Sequence, residues 1–417
     1  MIEKFFRWRR AHIYVLSSPV GSHLDDLATT LVRQGFGRWK VRQRLHGAAH
    51  FSVFSTTRGV SVEGLHEDLL PAFRTHLRTC RCPRPLRHGR HADVCAVAGA
   101  RALVEHLRQI GVVRSPIPMP PAPDVPPLVR RFHTWMQQQR GLQDATLRSY
   151  ECVIGDVLQT LGDVPRDYTA ASIRKFVIKS TTGQSRSRGK CVLTATRHFL
   201  RFLIADGACR PGLDGAVPTI ATWRLSALPR YLPAADVNRI VAACDQSTAV
   251  GLRDRAALLL LARLGLRAGD IRALTIRDID WQQASVQVAG KSRTQIRLPL
   301  TQETGEALLD YLTRGRPAAD TDHVFVRMAA PWLPLKTSTV SALVGRAIAR
   351  AGVTSPSRGA HLLRHSAATE MLRQGATLDQ IGAVLRHRYM DTTAHYAKVD
   401  VQRLRAIALP WPEVTPC

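Results

Sequence analysis

The chain has few lysines, few acidic residues and no long apolar run. Only eight of its 59 basic residues are lysines, so an isolated lysine such as Lys291 is informative. No run of eighteen apolar residues occurs, which argues against a membrane-spanning helix. The basic start MIEKFFRWRR is not followed by an apolar segment or a small-residue cleavage site. These absences predict a soluble, unexported, multidomain protein with a cytoplasmic location and no membrane partner.

The deficit of acidic residues leaves a large positive charge. There are 32 Asp and Glu residues against 59 Lys and Arg, giving a formal net charge of +27. Such an excess favours a polyanionic partner, and double-stranded DNA is the first candidate, with association to the nucleoid. GC-rich coding bias is an alternative reason for Arg replacing Lys, but it does not account for the net excess. The rigid guanidinium fork of Arg suits bidentate contacts to phosphate.

The eight cysteines are scattered, and in an unexported chain they are predicted to be free thiols. One stretch, RTCRCPRPLRHGRHADVC, concentrates five possible zinc ligands, which are Cys80, Cys82, His88, His91 and Cys95. Their spacing matches no standard zinc pattern. The sequence therefore favours a basic loop here, and we expect neither a metal nor any other cofactor.

Two Pro- and Gly-rich stretches divide the chain. SPIPMPPAPDVPP favours an extended linker because its prolines oppose helix formation, and CRPGLDGAVPTIATWRLSALPRYLP lacks helical periodicity. The predicted divisions are an N-terminal helical module (1–113), a linker (114–127), a helical module (128–208), a second linker (209–231), a third module (232–401) and a tail (402–417). The N-terminal module is a possible additional DNA-contacting surface.

The predicted fold is mainly α with a small antiparallel β-sheet. Apolar residues recur at helical spacing in the first two modules, and DRAALLLLARLGLRAGDI in the third is apolar almost all round, which is typical of a helix central to a core. ASVQV and TQIRLPL alternate as strands do, and AGKSR between them predicts a hairpin turn at Gly290 with Lys291 at its tip.

The middle module carries candidate phosphate-binding residues. SRSRGK precedes a helix predicted from about Lys190 to Asp206, which places Arg186, Arg188 and Lys190 near a helix N-terminus, where phosphate binds well. Arg148 in GLQDATLRSY is a further candidate contact with DNA. For each residue taken singly, a solvated charged surface is an equally good interpretation.

The third module carries the candidate chemistry. Its cations, histidines and one phenol stand next to helix breaks, and they are Arg267, Lys291, His361, Arg364, His387 and Tyr396. Two arginines and two histidines that converge would bind a phosphate and the additional negative charge of its pentacoordinate transition state. Phosphoryl transfer requires such stabilisation of negative charge, and here it would come from side chains rather than from a metal ion held by carboxylates.

GLRAGDIRALTIRDID, AGKSR, HLLRHSAAT and LRHRYMDTTAHYAKVD resemble, in this order and at these intervals, the tyrosine recombinase or phage integrase family. The likeness spans about Leu228 to Val401 and points to XerC/XerD-like or transposon-associated recombinases. GLQDATLRSY resembles, more weakly, the SAM-like core-binding domain of that family. The resemblance implies a helical core-binding domain and a mixed α/β catalytic domain that cuts and rejoins DNA, and it does not fix the role of the N-terminal helical module.

The resemblance implies a role for each of the six residues. Tyr396 would attack the scissile phosphate, while Arg267 and Arg364 grip its nonbridging oxygens and His387 donates a hydrogen bond to it. His361 would take the proton from Tyr396 and return it during religation. Lys291 would protonate the departing 5′-hydroxyl oxygen. Asp270 is expected to pair with the charge of Arg267, and His365 and His395 are left as structural.

The family resemblance also implies an assembly and an outcome. Exchange would pass through a 3′-phosphotyrosyl intermediate and a Holliday junction, in a homotetramer on synapsed DNA or a hetero-assembly with related recombinases, without ATP or metal. Integration, excision or resolution of a mobile element are the expected outcomes. The apolar residues of the tail, with Leu404, Ile407, Leu409 and Trp411, would dock on a neighbouring protomer or pack on their own.

Two alternatives remain open. TLDQIGAVLRHRYMDTTAHY has a capping box at Thr377 and Gln380 and resembles a helix-turn-helix, so a DNA-binding regulator without catalytic activity is one of them. Such a regulator does not need Arg267, Lys291 and Arg364. The other is a type IB topoisomerase, which shares nearly the same chemistry but relaxes supercoils as a monomer.

Overall fold

The chain folds into two compact units, one formed by Met1–Arg114 with Ala227–Cys417 and the other by Ser115–Ser226. This computed structural model describes residues 2–6, 9–80, 82, 92–113, 126–142, 144–220, 228–289, 295–387 and 390–399. The predicted linker 114–127 lies almost entirely outside the described residues, and the tail 402–417 lies wholly outside them. The mainly helical fold predicted from the sequence is confirmed.

The N-terminal module is a helical bundle with its own apolar core. Its helices are α1 (Arg9–Leu16), α2 (Leu24–Arg33), α3 (Arg38–Thr56), α4 (Leu69–Thr79) and α5 (Ala92–Gln109). The long helices α3 and α5 pack closely, because Gly47 and Gly99 let each backbone approach the other: a Cβ on Gly47 would lie 2.6 Å from the backbone of Ala96. Phe51, Phe54 and Phe73 fill the space between α3 and α4.

The described residues of the Ser115–Ser226 unit form the α-helices α6 (Pro127–Arg140), α7 (Asp144–Leu161), α8 (Ala170–Thr181) and α9 (Arg186–Ala205). Helix α7 stops before Gly162, as its sequence predicts, because Gly162 adopts a left-handed φ of +88°. Helix α9 begins four residues earlier than predicted. Ser185 caps it by accepting a hydrogen bond from the backbone N–H of Arg188, which replaces a missing helical partner.

The part of the chain from Ala227 onward, which carries the candidate chemistry and is called the catalytic segment below, forms the rest of the first unit. Its helices are α10 (Ala234–Ala242), α11 (Ala249–Arg263), α12 (Ala268–Ala273), α13 (Gln302–Asp310), α14 (Thr337–Arg350), α15 (Ala360–Arg373), α16 (Leu378–Leu385) and α17 (Met390–Ala394). A single 3₁₀ turn, His395–Val399, follows α17. Helix α11 is buried almost all round at the centre of the core, as its sequence predicts.

A three-stranded antiparallel sheet accompanies these helices, in the order β1 (Ile279–Asp280), β2 (Ser285–Ala289) and β3 (Gln295–Pro299). Strands β2 and β3 pair from Ser285 with Pro299 to Ala289 with Gln295, which confirms the predicted hairpin. Its turn, with Gly290 and Lys291, lies outside the described residues.

Within the first unit, the N-terminal module touches the catalytic segment at Trp332. The indole packs on Gly35, where a Cβ would lie 2.2 Å from the ring, and the Trp332 backbone N–H donates to the carbonyl oxygen of Gln34 at 3.3 Å. Only glycine fits at position 35, since the close approach coincides with a φ of +88°. Among the described helices, none combines the length and the apolar composition needed to cross a membrane.

Candidate active site

The first part of the site is the turn between α11 and α12, in the stretch GLRAGD. Gly265 takes a left-handed φ of +60°, which turns the chain sharply after α11. Arg267 is the N-cap of α12, and its backbone N–H donates to the Asp270 carboxylate at 2.7 Å. The backbone contacts of this turn therefore hold the main chain of Arg267 in place independently of its side chain.

The second part is α15, which carries Arg364 into the interior. The Arg364 side chain is buried, and its guanidinium donates to the carbonyl oxygens of Gly265 and Leu385. These two contacts join the α11–α12 turn to the end of α16. Since a guanidinium has five N–H donors, Arg364 retains donors with which to grip a phosphate.

The third part is the C-terminal end of α16. Arg386 ends this helix in the left-handed conformation, with φ of +54°, and the reversal directs the Leu385 and Arg386 carbonyls at the arginines. Nη2 of Arg267 donates to these carbonyl oxygens at 3.4 and 3.2 Å. Residues from three distant segments thus meet around one short piece of backbone.

Asp270 has a different partner from the one predicted. Its carboxylate forms an ion pair with Arg386 at 2.5 Å, and it holds Arg267 only through the backbone N–H. The guanidinium of Arg267 is directed instead at the α16 carbonyls. Asp270 consequently links the α11–α12 turn to the end of α16, and its negative charge still raises the pKa of Arg267 against the larger effect of burial.

The site holds an excess of buried positive charge. Burial, and then the neighbouring charges of Arg267 and Arg386, lower the pKa of Arg364 to about 10. Burial and Arg386 also lower the pKa of Arg267. Both guanidiniums stay protonated at neutral pH, with Asp270 as the carboxylate paired to this cluster. Such an arrangement is favourable for a phosphodiester anion and for the additional negative charge of its pentacoordinate transition state.

Tyr396 lies on the 3₁₀ turn after α17, and its side chain is only 2% exposed. It packs with Ala368, Leu372, Ile381 and Leu385 in a small apolar cluster between α15 and α16. Its hydroxyl is 2.8 Å from Nδ1 of His365. Burial raises the pKa of Tyr396 to about 12, although the charge of Arg364 acts in the opposite direction. The phenol is therefore protonated at neutral pH.

His387 is held against the same tyrosine. Its Nδ1 is 2.8 Å from Oγ1 of Thr393, and its ring is nearly parallel to that of Tyr396, with centroids 6.4 Å apart. Burial and the charges of Arg364 and Arg267 lower the pKa of His387 to about 4. The imidazole is thus neutral, and with Nδ1 bound to Thr393 its Nε2 is the nitrogen available to a phosphate.

The structure brings together four of the six predicted catalytic residues, which are Arg267, Arg364, His387 and Tyr396. His361 lies one turn before His365 on α15, with an exposed side chain and a ring centroid 6.4 Å from that of His365. Lys291 is outside the described residues.

The candidate DNA-binding residues lie on two adjacent helices of the other unit. Arg148 is exposed on α7, and the first turns of α9 carry the exposed Arg186 and Lys190 with the half-buried Arg188. Ser149 Oγ is 3.3 Å from Cys191 Sγ, so the segments that carry Arg148 and Lys190 are side by side.

Sequence reasoning missed three residues of this site. His365, left as structural, contacts the Tyr396 hydroxyl, and Thr393 contacts His387. Arg386 supplies a further guanidinium, which is buried like that of Arg364. His365 follows Arg364 directly and lies four residues after His361. This spacing places the two histidines on the same face of α15, and it is the signal that could have found His365. Nothing in the spacing distinguishes Thr393 from the exposed Thr392.

The chain is similar to known proteins of one family. Residues 230–403 match the model of the phage integrase family. The putative integrase/recombinase y4rA of Sinorhizobium fredii (strain NBRC 101917 / NGR234) is 35% identical over 94% of this chain and 95% of its own. Tyrosine recombinase XerD of Yersinia pestis is 27% identical over 67% of this chain and 95% of its own.

Among solved structures, XerH recombinase in a post-cleavage complex with palindromic difH substrate has a similar fold, with a TM-score of 0.53 and 16% identity over 83% of this chain and 96% of that one. The likeness to y4rA over nearly the whole of both chains settles the family. The chain belongs to the phage integrase family of tyrosine recombinases. It is a DNA-binding enzyme of site-specific recombination.

Proposed function

We propose that the chain breaks and rejoins DNA through a 3′-phosphotyrosyl intermediate formed on Tyr396. The observation that carries this proposal is the meeting of Arg267, Arg364 and the Tyr396–His387 pair around the end of α16. The Tyr396 oxygen attacks the scissile phosphorus, forming a P–O bond to tyrosine as the bond to the 5′ oxygen breaks. The phosphotyrosyl link keeps the energy of the phosphodiester, so religation by a 5′-hydroxyl needs no ATP.

The arginines supply the electrostatic part of this reaction. Arg267 and Arg364 neutralise the nonbridging oxygens, and His387 donates a hydrogen bond to the same phosphate from Nε2. A phosphate at this position adds negative charge, which offsets the burial cost of the guanidiniums and draws their donors toward the nonbridging oxygens. Lys291 protonates the departing 5′ oxygen, since a lysine gives up a proton more readily than an arginine.

We propose that His365, rather than His361, accepts the proton that the Tyr396 hydroxyl loses during attack. The distance of 2.8 Å between the hydroxyl and Nδ1 of His365 supports this assignment. Burial, followed by the charges of His361 and His395, lowers the pKa of His365 to about 4, so its imidazole is neutral at neutral pH and can accept the hydrogen bond of the phenol. His361, at the exposed start of α15, is adjacent to His365 and assists the return of this proton during religation.

We propose a biological setting that the family membership supports. The chain recombines the ends of a mobile element or a resolution site, as a homotetramer or with a related recombinase, through a Holliday junction. The middle module grips the duplex with Arg148, Arg186, Arg188 and Lys190, and the N-terminal module adds a further surface. The relative y4rA bears the name integrase/recombinase and matches 94% of the chain, including that module.

The test begins by selecting bound duplexes from a randomised pool, because the target sequence must first be located. A nick placed near the cut position then lets the short 5′-hydroxyl strand diffuse away and traps the covalent complex. We expect a protein–DNA adduct on a denaturing gel with the wild type and with Tyr231→Phe, and none with Tyr396→Phe. An adduct that survives Tyr396→Phe, or binding without any adduct, contradicts the proposal. Relaxation of supercoiled DNA without dependence on the selected site would instead indicate a topoisomerase.

A further inference from the structure

Four zinc-type ligands converge in the N-terminal module, far in sequence from the catalytic residues. They are Nε2 of His50 and His76 and Sγ of Cys80 and Cys82, and all four atoms lie within 4.8 Å of one another. His50 is on α3, His76 is in the last turn of α4, and the two cysteines follow directly after α4. The cluster therefore sits where the end of α4 meets α3.

The distances between the ligand atoms fit tetrahedral coordination of one metal ion. Nε2 of His50 and Nε2 of His76 are 3.3 Å apart, Sγ of Cys80 is 3.4 Å from the first, and Sγ of Cys82 is 3.5 Å from the second. Tetrahedral zinc with ordinary Zn–N and Zn–S bond lengths places two nitrogens about 3.3 Å apart and a nitrogen and a sulfur about 3.6 Å apart. Three of the six edges of such a tetrahedron therefore already have close to their ideal lengths, and all four ligand atoms lie within 4.8 Å of one another.

The imidazole rings are oriented by the core around them. His50 is 2% exposed, and its ring meets Phe73 edge-on with centroids 5.3 Å apart. The His76 ring packs on Phe54 with centroids 4.8 Å apart. The backbone N–H of Cys82 is 3.2 Å from Sγ of Cys80, a contact that stabilises thiolate charge. Phe54 and Phe73 thus hold both Nε2 atoms toward the same point.

We propose that His50, His76, Cys80 and Cys82 bind a structural Zn²⁺ ion in the N-terminal module. Two thiolates and two neutral imidazoles give a neutral closed site, which leaves no open position for chemistry. The sequence groups Cys80 and Cys82 with His88, His91 and Cys95, and of these His88 and His91 lie outside the described residues. Two of the ligands instead precede the cysteines and are supplied by helices.

The site has a clear consequence for the module. It closes a loop between α3 and the segment after α4, since His50 and Cys82 are 32 residues apart in the sequence. Zinc bound only by the folded chain stabilises the fold, and the ligands must release their protons to bind it. The ion would tie these helices together without taking part in strand cleavage.

The first test uses the full-length wild type. We expect about one zinc ion per chain by elemental analysis after purification without added metal. After removal of the zinc with a chelator under reducing conditions, titration with Co²⁺ should give the visible bands of tetrahedral thiolate coordination, and zinc should displace them. Chelation should lower the melting temperature by roughly 5 °C or more, reversed by zinc.

The second test uses matched variants. Cys80→Ser/Cys82→Ser and His76→Ala should lose at least about nine-tenths of the zinc, whereas Cys95→Ser/Cys152→Ser and the exposed His66→Ala should retain it. If the ligand variants fail to fold, the Co²⁺ titration of the wild type still decides the matter. A wild type that contains no zinc and gives no Co²⁺ bands overturns the proposal, as does zinc that persists in Cys80→Ser/Cys82→Ser. Loss of strand cleavage with the zinc retained would concern only the recombination mechanism.

Discussion

Tyr396 and His365 are both neutral at neutral pH, because burial raises the pKa of the phenol to about 12 and lowers that of the imidazole to about 4. Their hydrogen bond of 2.8 Å therefore joins a neutral donor to a neutral acceptor. In this state the phenol is a weak nucleophile. Among the described residues beside it, Arg267 and Arg364 carry the positive charge, and in the proposed mechanism a bound phosphate would complete the site.

The assignment of the proton acceptor can be tested on His365. We expect His365→Asn to slow adduct formation on the nicked duplex by about 10²-fold, because the phenol loses its acceptor. The loss should shrink as the pH rises, since solvent then takes the proton. A merely structural role would lower the rate equally at every pH. If His361→Asn shows the pH-dependent loss and His365→Asn does not, the role belongs to His361.

The two neighbouring threonines offer a matched pair. Thr393 is fully buried against Nδ1 of His387, whereas Thr392 is exposed. Thr393→Val keeps the side-chain shape but removes the hydrogen bond that orients His387, which is worth about 0.5–1.5 kcal/mol. We expect adduct formation to fall about 2- to 10-fold, with DNA affinity unchanged. Thr392→Val should behave as the wild type, and equal losses in both variants would refute this role of Thr393.

Among the structural elements, the turn between α11 and α12 positions the most functional groups. Its Gly265 carbonyl accepts from Arg364, and its Asp270 carboxylate binds both the Arg267 backbone and the Arg386 side chain. Gly265 has a positive φ, and a Cβ there would lie 2.5 Å from the Leu385 side chain. The glycine is therefore required by both backbone conformation and space.

A glycine pair tests the importance of this turn. Gly265→Ala should destabilise the catalytic segment by about 1–2 kcal/mol through the left-handed backbone alone, and the clash with Leu385 adds to that cost. We expect a lower melting temperature and slower adduct formation. Gly269→Ala is the control, because Gly269 lies within α12, where a Cβ meets nothing within 4 Å. Unchanged stability in Gly265→Ala would show that the turn relaxes without cost.

At the scale of the whole molecule, the net charge of +27 makes DNA binding dependent on salt. Each phosphate contact that is lost reduces the slope of log affinity against log salt by about 0.9. We expect Arg148→Ala and Lys190→Ala each to weaken binding and lower the slope by about that amount. Arg166→Ala removes the same charge from an exposed turn outside α7 and α9. A slope that changes equally in all three variants would place the DNA elsewhere on this unit.

Much of the fold could be read from local patterns. The nearly all-apolar α11, the hairpin of β2 and β3, the stop of α7 at Gly162 and the capping box at Thr377 all depend on residues within a few positions of one another. The order and intervals of Arg267, Arg364, His387 and Tyr396 also predict that they belong to one site, and the structure places them close together. The start of α9 was misplaced because the capping role of Ser185 was overlooked.

The sequence by itself determined which groups are available and roughly which helices carry them. Only the tertiary structure decided the partners of those groups, because they depend on how helices far apart in the chain pack. It paired Asp270 with Arg386 across 116 positions, set His365 rather than His361 against Tyr396, and gathered His50 and His76 with Cys80 and Cys82. Spacing along a chain fixes which face of a helix a residue occupies, whereas contact between faces is settled by the packing of the core.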